Sequence, residues 1–137
     1  MSDITSGLKL IDLSVEELKF KRNYEFDAEA EIELLFNFGA KIEVREEQAR
    51  LKLTCDIFDE DFINKNLPFF LKASMYGFFE SKDTPVEDFQ VNCIAILLPY
   101  LRALITSFTA QAGLPPVIIP PINVYSLVKQ QQEANEE

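Results

Sequence analysis

Residues 89–128 read FQVNCIAILLPYLRALITSFTAQAGLPPVIIPPINVYSLV and carry one charge, Arg102. The residues before them are dense in Glu, Asp, Lys and Arg. An uncharged stretch of that length has to be buried in the fold, in an oligomer or in a membrane. A membrane span is disfavoured. Asn92, Pro99 and Arg102 interrupt the first half, and Gly113, Pro115, Pro116, Pro120 and Pro121 break the second, so no unbroken apolar run of about 20 residues remains. Oligomer burial is the better expectation.

The first part of this stretch reads as a helix beginning near Pro85. Thr84 is its cap, Pro85 suits the first turn, and Glu87 and Asp88 favour the positive end of the helix dipole. The helix is expected to run to about Ala112 and stop at Gly113, with a kink or break at Pro99. Its segment Cys93–Leu101 is apolar all round, which predicts cover on more than one side. Gly113–Ile122 holds four prolines and is expected to be an extended crossover. It is too apolar for an ordinary surface loop. Either it packs on its own core or it forms one wall of an apolar groove. A short second helix is expected from Asn123 to about Gln132.

Upstream, the period changes to two. Ala28, Ala30, Ile32, Leu34, Phe36, Phe38, Ala40, Ile42 and Val44 occupy even positions, with charged residues between many of them. That is long for one strand, and Gly39 is expected to mark a bulge or bend. Glu46, Glu47 and Gln48 read as a turn. The phase then flips to Leu51, Leu53, Cys55 and Ile57. After the polar loop Asp59–Asn66, the strand Pro68–Phe79 is apolar on both faces, which predicts cover on both sides. A first strand spans roughly Leu8–Lys21. Its phase slips twice, so bulges are expected near Leu10-Ile11 and Glu16-Glu17. The expected fold is α+β: a four-stranded antiparallel β-meander, a long helix, a Pro-rich crossover loop and a short C-terminal helix. It forms a single domain over residues 1–132, with a flexible acidic tail at 133–137.

The net charge of −10 argues against nucleic-acid binding, which needs a Lys/Arg surplus. It serves solubility or provides an acidic docking face for a basic partner. The two cysteines, Cys55 and Cys93, lack a CxxC neighbour, and the chain has no His. Disulfide and zinc frameworks are therefore not expected, and both thiols are read as buried and reduced. The opening MSDITSGLKL has no basic stretch followed by an apolar one, so a cytoplasmic location is expected. No activated nucleophile, phosphate-cradling glycine loop or acidic metal constellation is legible. The expectation is a protein with no catalytic residue, metal or cofactor.

Leu98-Pro-Tyr-Leu-Arg102, then Gly113-Leu-Pro-Pro-Val117, then Pro120-Pro-Ile-Asn-Val124 resemble, in order and spacing, the signature region of SecB, the bacterial protein-export chaperone family. The specific motifs fall in residues 91–128, and the four-strand layout fits the same family more loosely. The resemblance implies a cytoplasmic holdase that binds unfolded polypeptides in apolar grooves, assembled as a homotetramer, a dimer of dimers. Phe36, Phe38, Phe58, Phe62, Leu114, Val117, Ile118, Ile119, Ile122 and Tyr125 are the implied groove residues. Cys93, Ile94, Leu97, Leu98, Leu101 and Ile105 are the implied oligomer contacts. In the family the outer sheet face carries acids that dock the export motor SecA. Here Glu16 and Glu17 stand beside Lys21 and Lys72, and Ala103 replaces the Glu that follows the motif's Arg. Other readings are a chaperone dedicated to an antitoxin or another non-export client, a carrier of a small hydrophobic ligand, and a purely structural oligomer.

Overall fold

The computed structural model describes residues 7–27, 29–82 and 90–129. Four strands, β1 (Leu8–Arg22), β2 (Phe36–Arg45), β3 (Gln48–Ile57) and β4 (Phe69–Ser81), form one antiparallel sheet, followed by helix α1 (Gln90–Gln111). Residues 124–129 form the described part of a second helix, α2. The expected caps at Thr84, Pro85, Glu87 and Asp88 and the acidic tail lie outside the described residues.

The strand order is β1-β4-β3-β2, not the order of a meander. Strands β2, β3 and β4 follow one another, but β1 pairs with β4, so the chain crosses the sheet between β1 and β2. The thirteen residues of that link easily reach across three strand spacings of about 4.8 Å. The alternating pattern from Ala28 made the link look short. Ile32 and Leu34 do turn inward while Glu31 and Glu33 face solvent. The ladder nevertheless begins only at Phe36, because its partner β3 ends at Ile57. Phe58, at φ +62°, then turns the chain away.

The two bulges of β1 fall as the phase slips require: Ile11 and Glu16 have no partner across the ladder. The expected bulge at Gly39 is absent. Gly39 pairs regularly with Thr54, whose Oγ1 would lie 2.6 Å from a Cβ at this position. Here glycine answers a close cross-strand approach. A two-residue turn, Glu46-Glu47, joins β2 to β3, with Glu46 at φ +51°.

Cross-strand partners share a face, so Ile42, Leu51 and Gly77 point inward together, as do Ala40, Leu53 and Met75. Helix α1 covers this inner face over β3, β4 and β1. Its spacing, Cys93, Ile94, Leu97, Leu98, Leu101, Ile105 and Thr109, is one buried helical face. Pro99 lies within α1 on its exposed side, and the helix runs through it unbroken. At the C-terminus Gly113 (φ +87°) donates to the Ala110 carbonyl at 3.3 Å and Leu114 to that of Thr109 at 3.0 Å, a paired cap that only a left-handed residue permits.

Candidate functional site

The crossover runs back along one flank of α1. Arg102 donates through Nη2 to the Pro120 carbonyl at 3.2 Å. Thr106 Oγ1 donates to the Val117 carbonyl at 2.7 Å, and Val117 N donates to Thr109 Oγ1 at 2.9 Å. These helix positions lie about 100–160° around α1 from Phe108, whose ring packs edge-on against Phe20 of β1. The crossover is therefore anchored on a different flank of α1 from the one that meets β1 through Phe108. Arg22 holds the other end of this region, donating to the carbonyls of Ala112 and Gly113 at 3.0 and 3.5 Å.

Helix α1 packs over β3, β4 and β1, so the sheet outruns it at β2. The inner row of β2, namely Phe36, Phe38, Ala40, Ile42 and Val44, is only half buried, and the rings of Phe36 and Phe38 stack at 6.1 Å. Crossover residues Val117 and Ile119 turn into the core, whereas Ile118 is 79% exposed. Asn123 opens α2 by accepting from Ser126 N at its Oδ1, and Tyr125 in the first turn is 73% exposed. β2 thus offers a half-buried apolar row, and the crossover and α2 carry the outward-pointing Ile118 and Tyr125.

The ten residues expected in a groove do not form one surface. Phe36, Phe38 and Ile122 are half buried, and Ile118 and Tyr125 are exposed. Val117 and Ile119 are core residues. Phe58 is buried edge-on against Phe69. Phe62 belongs to the opposite side of the sheet, where it covers Phe70 at 6.3 Å. Leu114 lines a separate hollow of about 620 Å³ with Arg22, Tyr24, Phe26, Pro68 and Pro115. Sequence reasoning missed Thr106 and Thr109. Two threonines in an apolar helix were the available signal, since a buried hydroxyl needs a partner.

Cys93, Ile94, Leu97, Leu98, Leu101 and Ile105, expected at an oligomer interface, are all buried against the chain's own sheet. The exposed side of α1 carries instead Asn92, Ala95, Pro99, Tyr100 and Ala103, without a charge. Burial pushes the thiols of Cys55 and Cys93 up to about 12, far from nucleophilic use. Among the described residues no acidic or sulfur cluster has the arrangement of a metal site. By length and composition α1 is apolar enough to cross a membrane, but its inner face is committed to the sheet.

The outer sheet face is charged. Lys52 binds Glu16 at 2.9 Å, and Glu16 also accepts from Ser74 at 3.2 Å. The Lys52 ammonium, helped by the Tyr76 hydroxyl, holds the Glu16 carboxyl below its ordinary range. Lys72 lies 3.9 Å from Glu17. So β4, apolar on both faces in sequence, is sealed outside partly by Phe62 and partly by these charged side chains. Of the four residues expected on a motor-docking face, Glu16, Glu17 and Lys72 surround one polar hollow with Asp56. Lys21 sits further along, opposite Phe70.

The sequence profile of preprotein translocase subunit SecB matches residues 7–135. This chain belongs to the SecB family. That is a family of chaperones rather than enzymes. The uncharacterized protein MJ0357 of Methanocaldococcus jannaschii is 32% identical, over 96% of this chain and 88% of that protein. The protein-export protein SecB of Neisseria meningitidis is 37% identical over 52% of this chain, and the match spans about half of that SecB protein, 51%. Among solved structures, the SecB-like chaperone Rv1957 of Mycobacterium tuberculosis, in complex with a ChAD peptide from the HigA1 antitoxin, shares the fold. Its TM-score is 0.64 at 13% identity, over 85% of this chain and 91% of that one.

Proposed function

We propose that this chain is a cytoplasmic holdase that keeps polypeptides unfolded by binding their apolar segments, without catalysis, metal or cofactor. The observation that carries this reading is the half-buried apolar row of β2, together with the outward-pointing Ile118 and Tyr125. Non-native chains expose apolar side chains, and burying them gains about 25 cal/mol per Å² without demanding one shape. An extended segment laid along β2 meets apolar side chains every second residue, which suits many sequences.

The working assembly is a homo-oligomer, a dimer of dimers, using the uncharged outer face of α1 around Tyr100. Several β2 rows in one particle add avidity for a long client. Export is the default pathway by relation to the protein-export SecB proteins, with clients handed to SecA. A small-molecule carrier is less well supported, because the space between α1 and the sheet is filled by Leu51, Leu53, Leu97, Leu101 and Ile105, all almost fully buried.

The test is aggregation of a chemically unfolded polypeptide, followed by light scattering. Wild-type protein slows it, and Ile118→Asp with Tyr125→Asp loses most of the effect while keeping its far-UV circular dichroism. An inactive wild type overturns the chaperone reading. A fully active double variant overturns the placement of the binding surface. Sedimentation velocity tests the tetramer, and pull-down of SecA tests the handover.

A further inference from the structure

The outer face of the β2–β3 hairpin runs against the charge of the chain. Overall the protein carries −10. Yet this surface holds Lys41, Arg45, Arg50 and Lys52, against Glu43, Asp56 and, reaching over from β1, Glu16. Lys41 and Lys52 are direct cross-strand partners, and like charges so placed destabilise a sheet. Glu16 relieves Lys52, and Glu43 binds Arg50 at 2.8 Å. Lys41 and Arg45 are exposed and have no ion-pair partner among the described residues.

Aromatic surface lies between these cations. Arg50 and Lys52 sit over the Tyr76 ring at 5.2 and 5.8 Å, and that ring stacks on Phe78 at 6.4 Å. Phe78 is 38% exposed on an otherwise charged face. Beside it is an open hollow of about 350 Å³, lined by Phe78, Ala49, Gln48, Arg45, Arg50 and Glu43, the last engaged by Arg50. Its volume is at the small end of the range for ligand pockets and leaves ample room for an apolar side chain. Arg45 lines this hollow, and Lys41 lies four residues away on the same face of β2.

We propose that this surface docks an acidic polypeptide segment carrying a single apolar anchor, in an extended conformation across the hairpin. Charge complementarity selects the class of partner: two unpaired cations accept carboxylates, and the aromatic pair accepts the anchor. A long polyanion such as a nucleic acid fits less well, because beyond Arg45 it runs onto Glu46, Glu47 and Glu80, whereas a short segment ends at Arg45. The patch lies on the reverse of the sheet from the apolar row of β2. An acidic partner and an unfolded client therefore occupy the chain together, and the proposal stands independently of the client-binding reading.

The experiment is fluorescence anisotropy with a short labelled peptide of Glu and Asp around one Leu, alongside the same peptide with Lys in place of each acid. The acidic peptide binds and the basic one does not. Binding weakens steeply with added salt, because exposed charges are screened within about 10 Å at 0.1 M. Lys41→Glu with Arg45→Glu, both exposed and harmless to the core, weakens it at least about tenfold and leaves aggregation suppression unchanged. Phe78→Ser weakens it without altering the salt dependence. Equal binding of both peptides, or undiminished binding by the charge-reversed variant, overturns the proposal. So does capture by phosphatidylserine vesicles, abolished by the same variant, when the acidic peptide fails to bind.

Discussion

Thr109 and Val117 tie the crossover to the long helix. The fully buried Thr109 hydroxyl accepts from Val117 N at 2.9 Å and itself donates to the Ile105 carbonyl at 2.8 Å. Thr106 takes the Val117 carbonyl from the other side. Both backbone groups of one crossover residue are thus satisfied by side chains of α1. Thr109→Val removes the acceptor and leaves a buried N–H unpaired, at a cost of about 1–3 kcal/mol. Urea denaturation measures that loss, and amide exchange at Val117 accelerates in the variant. An unchanged exchange rate contradicts the tether.

Gly77 sets how closely α1 approaches the sheet. A Cβ there would lie 2.9 Å from the Phe79 ring and 3.1 Å from both Leu97 methyl carbons. All these neighbours are buried and packed. Gly77→Ala is expected to lower stability by about 1–3 kcal/mol through overpacking, although glycine-to-alanine changes elsewhere in a strand tend to stabilise. A higher melting temperature for this variant would show that the interface has slack.

Neighbouring isoleucines of the crossover separate folding from binding. Ile119 is 5% exposed and Ile118 79%. Ile119→Asp buries an unpaired carboxylate and costs about 3 kcal/mol or more. Ile118→Asp changes stability by no more than about 0.5 kcal/mol, yet diminishes suppression of aggregation. Thermal melts of the two variants side by side check the contrast.

Asp56 confers a pH dependence on the fold. Among the described residues its Oδ1 is buried without a hydrogen-bond partner. Burial raises its pKa, and Lys72 only partly opposes this. The folded state therefore holds the proton more tightly than the unfolded chain. As pH rises from the ordinary Asp range through the raised folded value, Asp56 ionises at a cost to the fold. Asp56→Asn should raise the melting temperature at pH 7, and the gain should vanish below pH 3, where both states are protonated. A pH-independent difference rules out ionisation as its cause.

Cys55 and Cys93 should resist alkylation. Their burial and raised pKa values, about 12 for each, leave almost no thiolate at pH 8. Native protein incubated with iodoacetamide should gain no mass within a period that modifies both thiols in urea. Rapid native labelling would reveal an opening of the helix–sheet core.

The residue pattern determined the elements and their faces. Period-two alternation located the strands and even the two bulges of β1, because each unpaired residue shifts the alternation by one. The span with Arg102 as its single charge marked out the buried helix and crossover, and the string Leu98–Val124 carried the family. Tertiary structure alone decided which strands touch. Backbone pairing depends on what lies alongside, and Ala28–Leu35 alternates like a strand with no ladder beside it at residues 31–35. The same holds for which apolar residues form a surface. Val117 and Ile118 are equivalent in hydropathy, but the Thr106–Thr109 tether turns one into the core and leaves its neighbour facing solvent. Lys41 and Lys52 likewise become opposed cations only once the β2–β3 turn sets their register.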